Sequence, residues 1–385
     1  MPAPVLTSRL PQVGTTVFTL MSQLAAQHGA VNLGQGFPDF ACDPALVELV
    51  ADAMRAGHNQ YPIPTGVPAL REAVVAKIER EYGRRYDVAS EITVTAGATQ
   101  ALTTAILATV HPGDEVIVIE PAYDSYAPAV QLCGGVVVPV TMRFTEAGYG
   151  VPWDEVAAAV TPRTRMIVVN TPHNPTGTIL RQSDLDALAA IVDGTHILVL
   201  SDEVYEHMVY DGAAHASVAR HPALAERAFV VSSFGKTYHV TGWKIGYVVA
   251  PASLMAEFRK VHQYNVFSVN APMQHAIAAY MQDPAPWREL PAFYQRKRDL
   301  FRAGLAGSRF TLLPSDGTYF QCVRYDAISD LSEAEFAQWL TREIKVAAIP
   351  VSAFYSQPKE SHVVRFCFAK KDETLQLALE RLATL

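Results

Sequence analysis

The sequence predicts an α/β fold in which a mostly parallel seven-stranded sheet lies between helices, with a smaller α+β domain beside it. Between about residues 90 and 250, short β-branched runs alternate with helical stretches, which is typical of a parallel sheet. Several of these runs are almost wholly apolar, as strands covered on both faces should be. At 385 residues, of which 50% are hydrophobic and 18% charged, the chain is long enough to bury an extensive core.

The individual elements of the sheet region follow from this alternation. Strands are predicted at residues 92–95, 115–119, 136–140, 165–169, 197–200, 229–232 and 246–250. Helices are predicted between some of them, at residues 99–109, 183–191 and 254–263.

The C-terminal part has a different pattern. A long charged helix is predicted from about Trp287, followed by short strands at residues 317–323 and 363–368 and a helix at residues 332–343. The first forty or so residues are rich in Gly and Pro and are expected to pack with this part. We therefore predict a large domain at residues 45–286 and a small domain formed by residues 1–44 and 287–385.

Composition argues against several classes of function. The net charge of −7 and the lack of a basic block disfavour nucleic acid and anionic membranes as partners. The N-terminus has no leader pattern, and the uncharged stretch 92–110 holds six threonines, so we expect no membrane span. Four scattered cysteines suit a reduced cytoplasmic protein, and the histidines form no metal-binding motif, so no metal is expected.

Polar residues follow five of the predicted strands. Ligands of open α/β sheets bind outside the carboxyl ends of the strands, so these loops should converge on one crevice. They offer an anion-binding turn at a helix N-terminus, an aromatic ring, an amide, a carboxylate and an amine. In chain order the residues are Gly97, Ala98 and Thr99; Tyr123; Asn174; Asp202 and Tyr205; and Ser233 and Lys236, with Lys244 close behind.

These groups suit a flat heteroaromatic ring that carries a phosphate. The turn can bind the phosphate, and Tyr123 can stack on the ring. Asp202 can pair with a protonated ring nitrogen, and Asn174 and Tyr205 can hydrogen-bond a ring hydroxyl. The amine of Lys236 can form a Schiff base with an aldehyde. Pyridoxal 5'-phosphate (PLP) combines all of these features, so the sequence predicts a PLP site.

Each of these residues taken alone has a simpler interpretation. The N-P-T-G stretch at residues 174–177 favours an ordinary turn, and Asp202 could cap a helix. Tyr123 could be a packing residue, and Arg365 could belong to a surface ion pair. Four other aromatic residues could line a substrate pocket or merely pack in the core or a dimer interface: Phe37, Phe267, Phe354 and Tyr355.

Four ordered motifs resemble those of the class I/II aminotransferases, which are PLP enzymes of fold type I. They are N-P-T-G at 174–177, S-D-E-V-Y at 201–205, S-S-F-G-K-T-Y and T-G-W-K-I-G-Y within 232–247, and V-V-R-F-C-F at 363–368. The resemblance extends from about Gly34 to the C-terminus. It implies a fold type I PLP-dependent transferase.

The resemblance also implies a role for each matched residue. Lys236 would carry the Schiff base and then shuttle the proton between the substrate α-carbon and the cofactor. Arg365 would bind the substrate α-carboxylate, helped by Asn174 and the Gly36 backbone. Tyr61 would reach the phosphate in the neighbouring subunit of a homodimer with shared active sites. The remaining cofactor contacts would be Asp202 on the ring nitrogen, Asn174 and Tyr205 on the ring oxygen, Tyr123 on the ring face, and Ala98, Thr99, Ser233 and Lys244 on the phosphate.

Within this family the sequence is similar to the kynurenine/glutamine transaminases and the bacterial methionine aminotransferases, through residues 259–270 and 349–355. Thr99 and Ala98 stand where the kynurenine enzymes tend to carry Tyr and Gly. The resemblance implies transfer of an amino group from methionine, an aromatic amino acid, kynurenine or glutamine to a 2-oxo acid in a ping-pong cycle. Two alternatives stay open, a PLP β-lyase acting on cysteine conjugates and a non-catalytic regulator with this fold.

Overall fold

The protein is described from a computed structural model that covers residues 6–145 and 148–385. A seven-stranded sheet forms its centre, with strand order β1-β7-β6-β5-β4-β2-β3. Only β7 runs antiparallel to its neighbours, β1 and β6. The strands are β1 Ile92–Thr95, β2 Glu115–Glu120, β3 Val136–Thr141, β4 Thr164–Asn170, β5 Leu198–Asp202, β6 Ala228–Ser233 and β7 Gly246–Val249.

The predicted mostly parallel sheet is therefore confirmed, and all seven predicted runs form strands. Their ends differ from the prediction by one or two residues. Strand β5 extends to Asp202, and β4 extends to Asn170, because these polar residues still pair in register with each other. This extension places the two side chains at the same edge of the sheet.

Helices cover the sheet and form much of the remaining chain. The three predicted helices correspond to Gly97–Thr109, Gln182–Val192 and Ala252–Asn265. The other helices are Val17–His28, Pro44–Arg55, Pro68–Tyr82, Tyr126–Leu132, Trp153–Ala158, Pro222–Ala225, Phe234–Thr237, Ala271–Tyr280, Ala285–Arg288, Leu290–Leu305, Glu333–Trp339 and Asp372–Leu382. Short 3₁₀ turns lie at Val218–Arg220, Thr241–Trp243 and Val351–Phe354, and a π turn lies at Leu340–Ile344.

Two features of the C-terminal part differ from the prediction. The long charged helix begins at Leu290 rather than near Trp287, which belongs to the separate helix Ala285–Arg288. Pro291 explains the new start, since proline suits the first turn of a helix. The strand predicted at residues 317–323 begins only at Phe320, because Thr318 adopts a left-handed backbone with φ of 65°.

A second, four-stranded antiparallel sheet lies in the C-terminal part. Its strands, in spatial order, are Thr311–Leu312, Phe320–Arg324, Val363–Cys367 and Ile349–Pro350. A parallel pair of Val31–Asn32 with Val346–Ala347 joins the N-terminal segment to this part. A hairpin pairs Arg143–Thr145 with Gly148–Gly150. The division into domains at residues 45 and 287 stays a prediction.

The core explains why the central strands are almost wholly apolar. Along β2, Ile117 packs into one buried apolar cluster, while Val116 and Val118 pack into a second cluster. Because successive side chains of a strand point to opposite faces, the sheet is covered on both sides. A third cluster, including Phe301 and Phe336, lies under the small sheet. Within the described ranges, no helix is both long and apolar enough to cross a bilayer.

Candidate active site

A cavity of about 330 Å³ opens at the carboxyl ends of the parallel strands. It lies where the sequence places the ligand crevice of such a sheet. The structure brings the following predicted site residues to its lining: Gly36, Ala98, Thr99, Tyr123, Asn174, Asp202, Tyr205, Ser233, Lys236, Lys244 and Arg365.

Lys236 projects from the short helix Phe234–Thr237, directly after β6. Its Nζ donates hydrogen bonds to the Tyr319 hydroxyl at 2.8 Å and to the Gly36 carbonyl at 3.2 Å. Burial lowers the pKa of Lys236 to about 8, since a desolvated amine favours its neutral form. A lysine in this state is a good nucleophile near neutral pH.

Asp202 ends β5 and lies 4% exposed at the cavity wall. The Tyr126 hydroxyl donates to its Oδ2 at 2.7 Å, and the Val204 backbone N–H lies 3.4 Å from Oδ1. Burial raises the pKa of Asp202 to about 6, and the hydrogen bond from Tyr126 works in the opposite direction. In the described part of the chain no ion pair to Asp202 is formed. The more distant charge of Lys236 also lowers its pKa, and the carboxylate is suited to pair with a cation on a ligand.

One end of the cavity combines an uncapped helix N-terminus with a lysine, the groups that an anion site uses. The helix Gly97–Thr109 starts there without a side-chain cap, so backbone N–H groups of its first turn are available to a ligand. A Cβ atom added at Gly97, whose φ is 78°, would lie 3.3 Å from the Lys244 Nζ. A Cβ added at Gly246 would lie 3.1 Å from the Ala98 nitrogen. The two glycines thus keep an ammonium and a backbone N–H accessible at one point.

Arg365 lies on the other side of the cavity and is 1% exposed. Its Nη1 donates to the Asn174 Oδ1 at 2.5 Å, and its Nη2 donates to the Gly34 carbonyl at 2.9 Å. The guanidinium stacks 3.8 Å from the centre of the Phe320 ring. Its Nε is buried without a hydrogen-bond partner. An unpaired donor of this kind is expected where a ligand carboxylate binds.

Two tyrosines complete the wall. Tyr205 follows Asp202 after β5, is 3% exposed, and meets Tyr319 edge-on with ring centres 5.1 Å apart. Tyr123 follows β2 and meets Tyr126 edge-on at 5.7 Å. Both positions come from polar loops at strand ends, as predicted.

Tyr61 is the predicted site residue that lies away from the cavity of its own chain. Its side chain is 81% exposed and packs edge-on against Phe267, with ring centres 5.2 Å apart. The cavity lining contains Phe37 but not Phe267, Phe354 or Tyr355. Phe354 is instead buried beside Arg365, whose guanidinium carbon lies 5.2 Å from the centre of the Phe354 ring.

Sequence reasoning missed several residues that the structure brings to the site. Tyr126 contacts Asp202, and Tyr319 contacts Lys236. Further lining residues are Phe18, Gln35, Leu102, Asn170, Val204, Gly235, Thr241 and Phe320. For Tyr126 a signal existed, because it lies three residues after Tyr123 at the start of a helix. Phe18 and Tyr319 lie in stretches without any distinguishing pattern.

The donor set fits PLP. An amine, a carboxylate and an anion-binding helix terminus face the same cavity, as an aldehyde, a ring nitrogen and a phosphate require. The accessible backbone at Gly97 and Gly246 suits a phosphate group. In the described part of the chain, no three His, Cys, Asp or Glu side chains lie together in a way that could hold a metal ion.

Comparison with known proteins gives consistent matches over nearly the whole chain. The sequence model of the aminotransferase class I and II family matches residues 29–382. The methionine aminotransferase of Escherichia coli (strain K12) is 53% identical over 379 residues, covering 98% of both chains. Kynurenine–oxoglutarate transaminase 1 of Mus musculus is 34% identical, covering 98% of this chain and 96% of its own.

Solved structures give the same result. A crystal structure of an Escherichia coli protein with a methionine aminotransferase function superimposes with a TM-score of 0.97 at 52% identity, covering 99% of this chain and 100% of that one. N-succinyldiaminopimelate aminotransferase from Mycobacterium tuberculosis superimposes with a TM-score of 0.95 at 42% identity, with the same coverage.

Proposed function

This chain belongs to the class I and II aminotransferases, and from that premise we propose that it holds PLP on Lys236 and takes its amino group from methionine or a similarly large apolar amino acid. The acceptor is a 2-oxo acid. One observation carries the proposal: Lys236, Asp202 and Arg365 line a single cavity, which is also lined by the first turn of the helix Gly97–Thr109.

The cavity residues divide the work of holding PLP. Ala98, Thr99, Ser233 and Lys244 would bind the phosphate, Tyr123 would lie on the ring face, and Asn174 and Tyr205 would contact the ring oxygen. Asp202 would pair with the ring nitrogen. When bound, PLP supplies an electron-accepting ring that stabilises negative charge at the substrate α-carbon.

Lys236 has the properties of the base that moves the substrate proton. Its pKa of about 8 leaves part of the population neutral at physiological pH. Once its amine is free, Nζ can take the proton from the substrate α-carbon. Burial of the amine excludes water that would compete for this proton.

Arg365 explains how one site serves both substrates. Its guanidinium can bind the α-carboxylate of the amino acid in the first half of the cycle and that of the 2-oxo acid in the second. Asn174 already accepts from Nη1 and fixes the guanidinium plane. A single carboxylate site is what a ping-pong cycle needs.

The apolar residues of the cavity lining argue for a substrate with a large uncharged side chain. Phe18, Phe37, Leu102, Val204 and Phe320 line the cavity. Among the described lining residues, the cations are Lys236, Lys244 and Arg365, each already assigned, so none is left for a second carboxylate. The 53% identity to a methionine aminotransferase supports the same substrate class.

The proposal includes a homodimer in the cytoplasm. Tyr61, at 81% exposed, is available to contact the phosphate in a partner subunit. The four cysteines are free thiols, which suits a reducing compartment.

The absorption spectrum of the purified protein, before and after addition of methionine, tests this function. We expect the visible band of PLP linked to a lysine, and its replacement by the band of the amine form of the cofactor. Lys236→Ala should abolish this exchange. A protein without a visible band after addition of PLP, or one that uses only aspartate, would contradict the proposal. Release of pyruvate and ammonia from a cysteine conjugate, without amino transfer, would favour a β-lyase.

A further inference from the structure

Tyr319 contacts Lys236 but does not itself line the cavity. Its side chain is completely buried, and its ring packs against Phe320, Tyr205 and Tyr294, with ring centres 4.9, 5.1 and 5.6 Å away. The Tyr319 carbonyl accepts from the Phe368 backbone N–H at 2.9 Å, which fixes the main chain at this point. The hydroxyl therefore has a defined position.

The hydroxyl forms a closed triangle of hydrogen bonds with two other groups. The Lys236 Nζ donates to the Tyr319 hydroxyl at 2.8 Å and to the Gly36 carbonyl at 3.2 Å. The Tyr319 hydroxyl itself donates to the Gly36 carbonyl at 2.5 Å. Burial raises the pKa of Tyr319, so the hydroxyl keeps its proton and offers lone pairs to the lysine.

This triangle matches a neutral amine better than an ammonium. A neutral amine has two N–H donors and one lone pair, and the two acceptors use both donors. The lone pair then points away from the triangle. An ammonium would have a third N–H that neither acceptor can pair with, and burial disfavours the charged form.

We propose that Tyr319 is a further active-site residue, whose hydroxyl, together with the Gly36 carbonyl, binds the Lys236 amine during the interval in which that amine is free. The inference rests on the proposed function, in which Lys236 is released in each half of the cycle. Tyr319 keeps its own proton throughout. Its task is to orient the amine, so that the lone pair is available to the proton at the substrate α-carbon.

Tyr319→Phe tests this role, and Tyr294→Phe is the matched control. Both variants remove one hydroxyl from the same buried aromatic cluster, but the Tyr294 hydroxyl is buried without a hydrogen-bond partner. With methionine in single-turnover experiments, Tyr319→Phe should slow the first half-reaction by about 10- to 100-fold, since the base is misplaced. The isotope effect of α-deuterated methionine should rise, KM should change little, and Tyr294→Phe should resemble the wild type.

A second readout does not depend on turnover. The full-length protein without cofactor should link PLP to Lys236 about 3- to 10-fold more slowly in Tyr319→Phe, because one hydrogen bond that orients the amine is lost. Stopped-flow absorbance measures this rate. Equal effects of Tyr319→Phe and Tyr294→Phe in both measurements would show that Tyr319 only packs, and would overturn the inference.

The wild-type protein provides a check that does not depend on the folding of a variant. In a crystal structure with pyridoxamine 5'-phosphate, the Lys236 Nζ should lie within hydrogen-bond distance of the Tyr319 hydroxyl and the Gly36 carbonyl. An amine found elsewhere would overturn the inference even if the enzyme transaminates methionine. Absence of a PLP band in the wild type would instead contradict the proposed function itself.

Discussion

Tyr126 donates a hydrogen bond of 2.7 Å to the Oδ2 of Asp202, and both side chains are buried at the cavity wall. The bond orients the carboxylate and partly offsets the cost of burying its charge. Burial nevertheless dominates and raises the pKa of Asp202 from 3.8 to about 6. Without a cationic ligand, Asp202 is therefore a source of instability that the function requires.

Asp202→Asn should stabilise the cofactor-free protein while impairing the enzyme. The folded-state pKa of Asp202 lies above its unfolded value, so its ionisation costs stability as the pH rises from 3.8 to about 6. Above pH 6 the variant should be more stable than the wild type by up to about 3 kcal/mol, and the difference should vanish below pH 4. Denaturant unfolding at several pH values measures this difference.

The same variant should lose most of its transaminase activity, because an amide cannot pair with a protonated ring nitrogen as a carboxylate does. Tyr126→Phe is the control that keeps the carboxylate. It removes a bond that lowers the pKa of Asp202, so in the cofactor-free protein the stability cost of ionising Asp202 should extend to higher pH. If Asp202→Asn had unchanged stability and full activity, Asp202 would not face the cofactor.

The central sheet could be predicted because its strands are buried on both faces and its polar residues cluster at strand ends. Asp202 and Asn174 stand out in sequence since they interrupt or follow apolar runs. Tyr319 does not stand out, because it lies among apolar residues that also form strand and core. Its importance depends on a contact with Lys236 across 83 positions of the chain, and no local pattern encodes such a contact.

Arg365→Lys should raise KM for the amino acid and for the 2-oxo acid by a similar factor, roughly 100-fold, because the charge is kept but the planar fork is lost. The fork matters here because Nη1 and Nη2 are held by Asn174 and Gly34 while Nε is unpaired. Steady-state kinetics with each substrate varied in turn measure both constants.

Arg324→Lys is the matched control for this change. Arg324 ends the neighbouring strand of the same small sheet and pairs with the exposed Asp326 at 2.7 Å. Its substitution should leave both KM values unchanged. An increase for only one of the two substrates in Arg365→Lys would contradict a single carboxylate site for both.

Glu206 forms a buried ion pair with Lys77 and should be essential for stability. It also accepts from the Ser232 hydroxyl at 2.5 Å and from the Tyr247 hydroxyl at 3.0 Å. Burial raises the pKa of Glu206, but Lys77 and the hydrogen bonds outweigh it and hold the pKa below its usual range. Glu206→Gln should therefore cost about 3–5 kcal/mol at neutral pH, since it leaves Lys77 buried without a counter-charge.

The pH dependence of unfolding checks the sign of this effect. A depressed folded-state pKa gives a stability that is present above the ordinary value of 4.5 and is lost as the pH falls further. Combining Glu206→Gln with Lys77→Met should recover part of the loss. The exposed pair Lys260 and Glu257 supplies a control, because Glu257→Gln should change stability by less than about 1 kcal/mol.

Mixing two impaired variants tests whether Tyr61 acts in the partner subunit. Tyr61→Phe should weaken phosphate binding, and Lys236→Ala should abolish the exchange. If each site combines Lys236 of one subunit with Tyr61 of the other, a mixed dimer contains one fully native site. After an equimolar mixture is unfolded and refolded, about half of the dimers should be mixed. About a quarter of all sites should then be native. Restored cofactor binding and methionine turnover measure this recovery, and a mixture no more active than its parents would place Tyr61 outside the site.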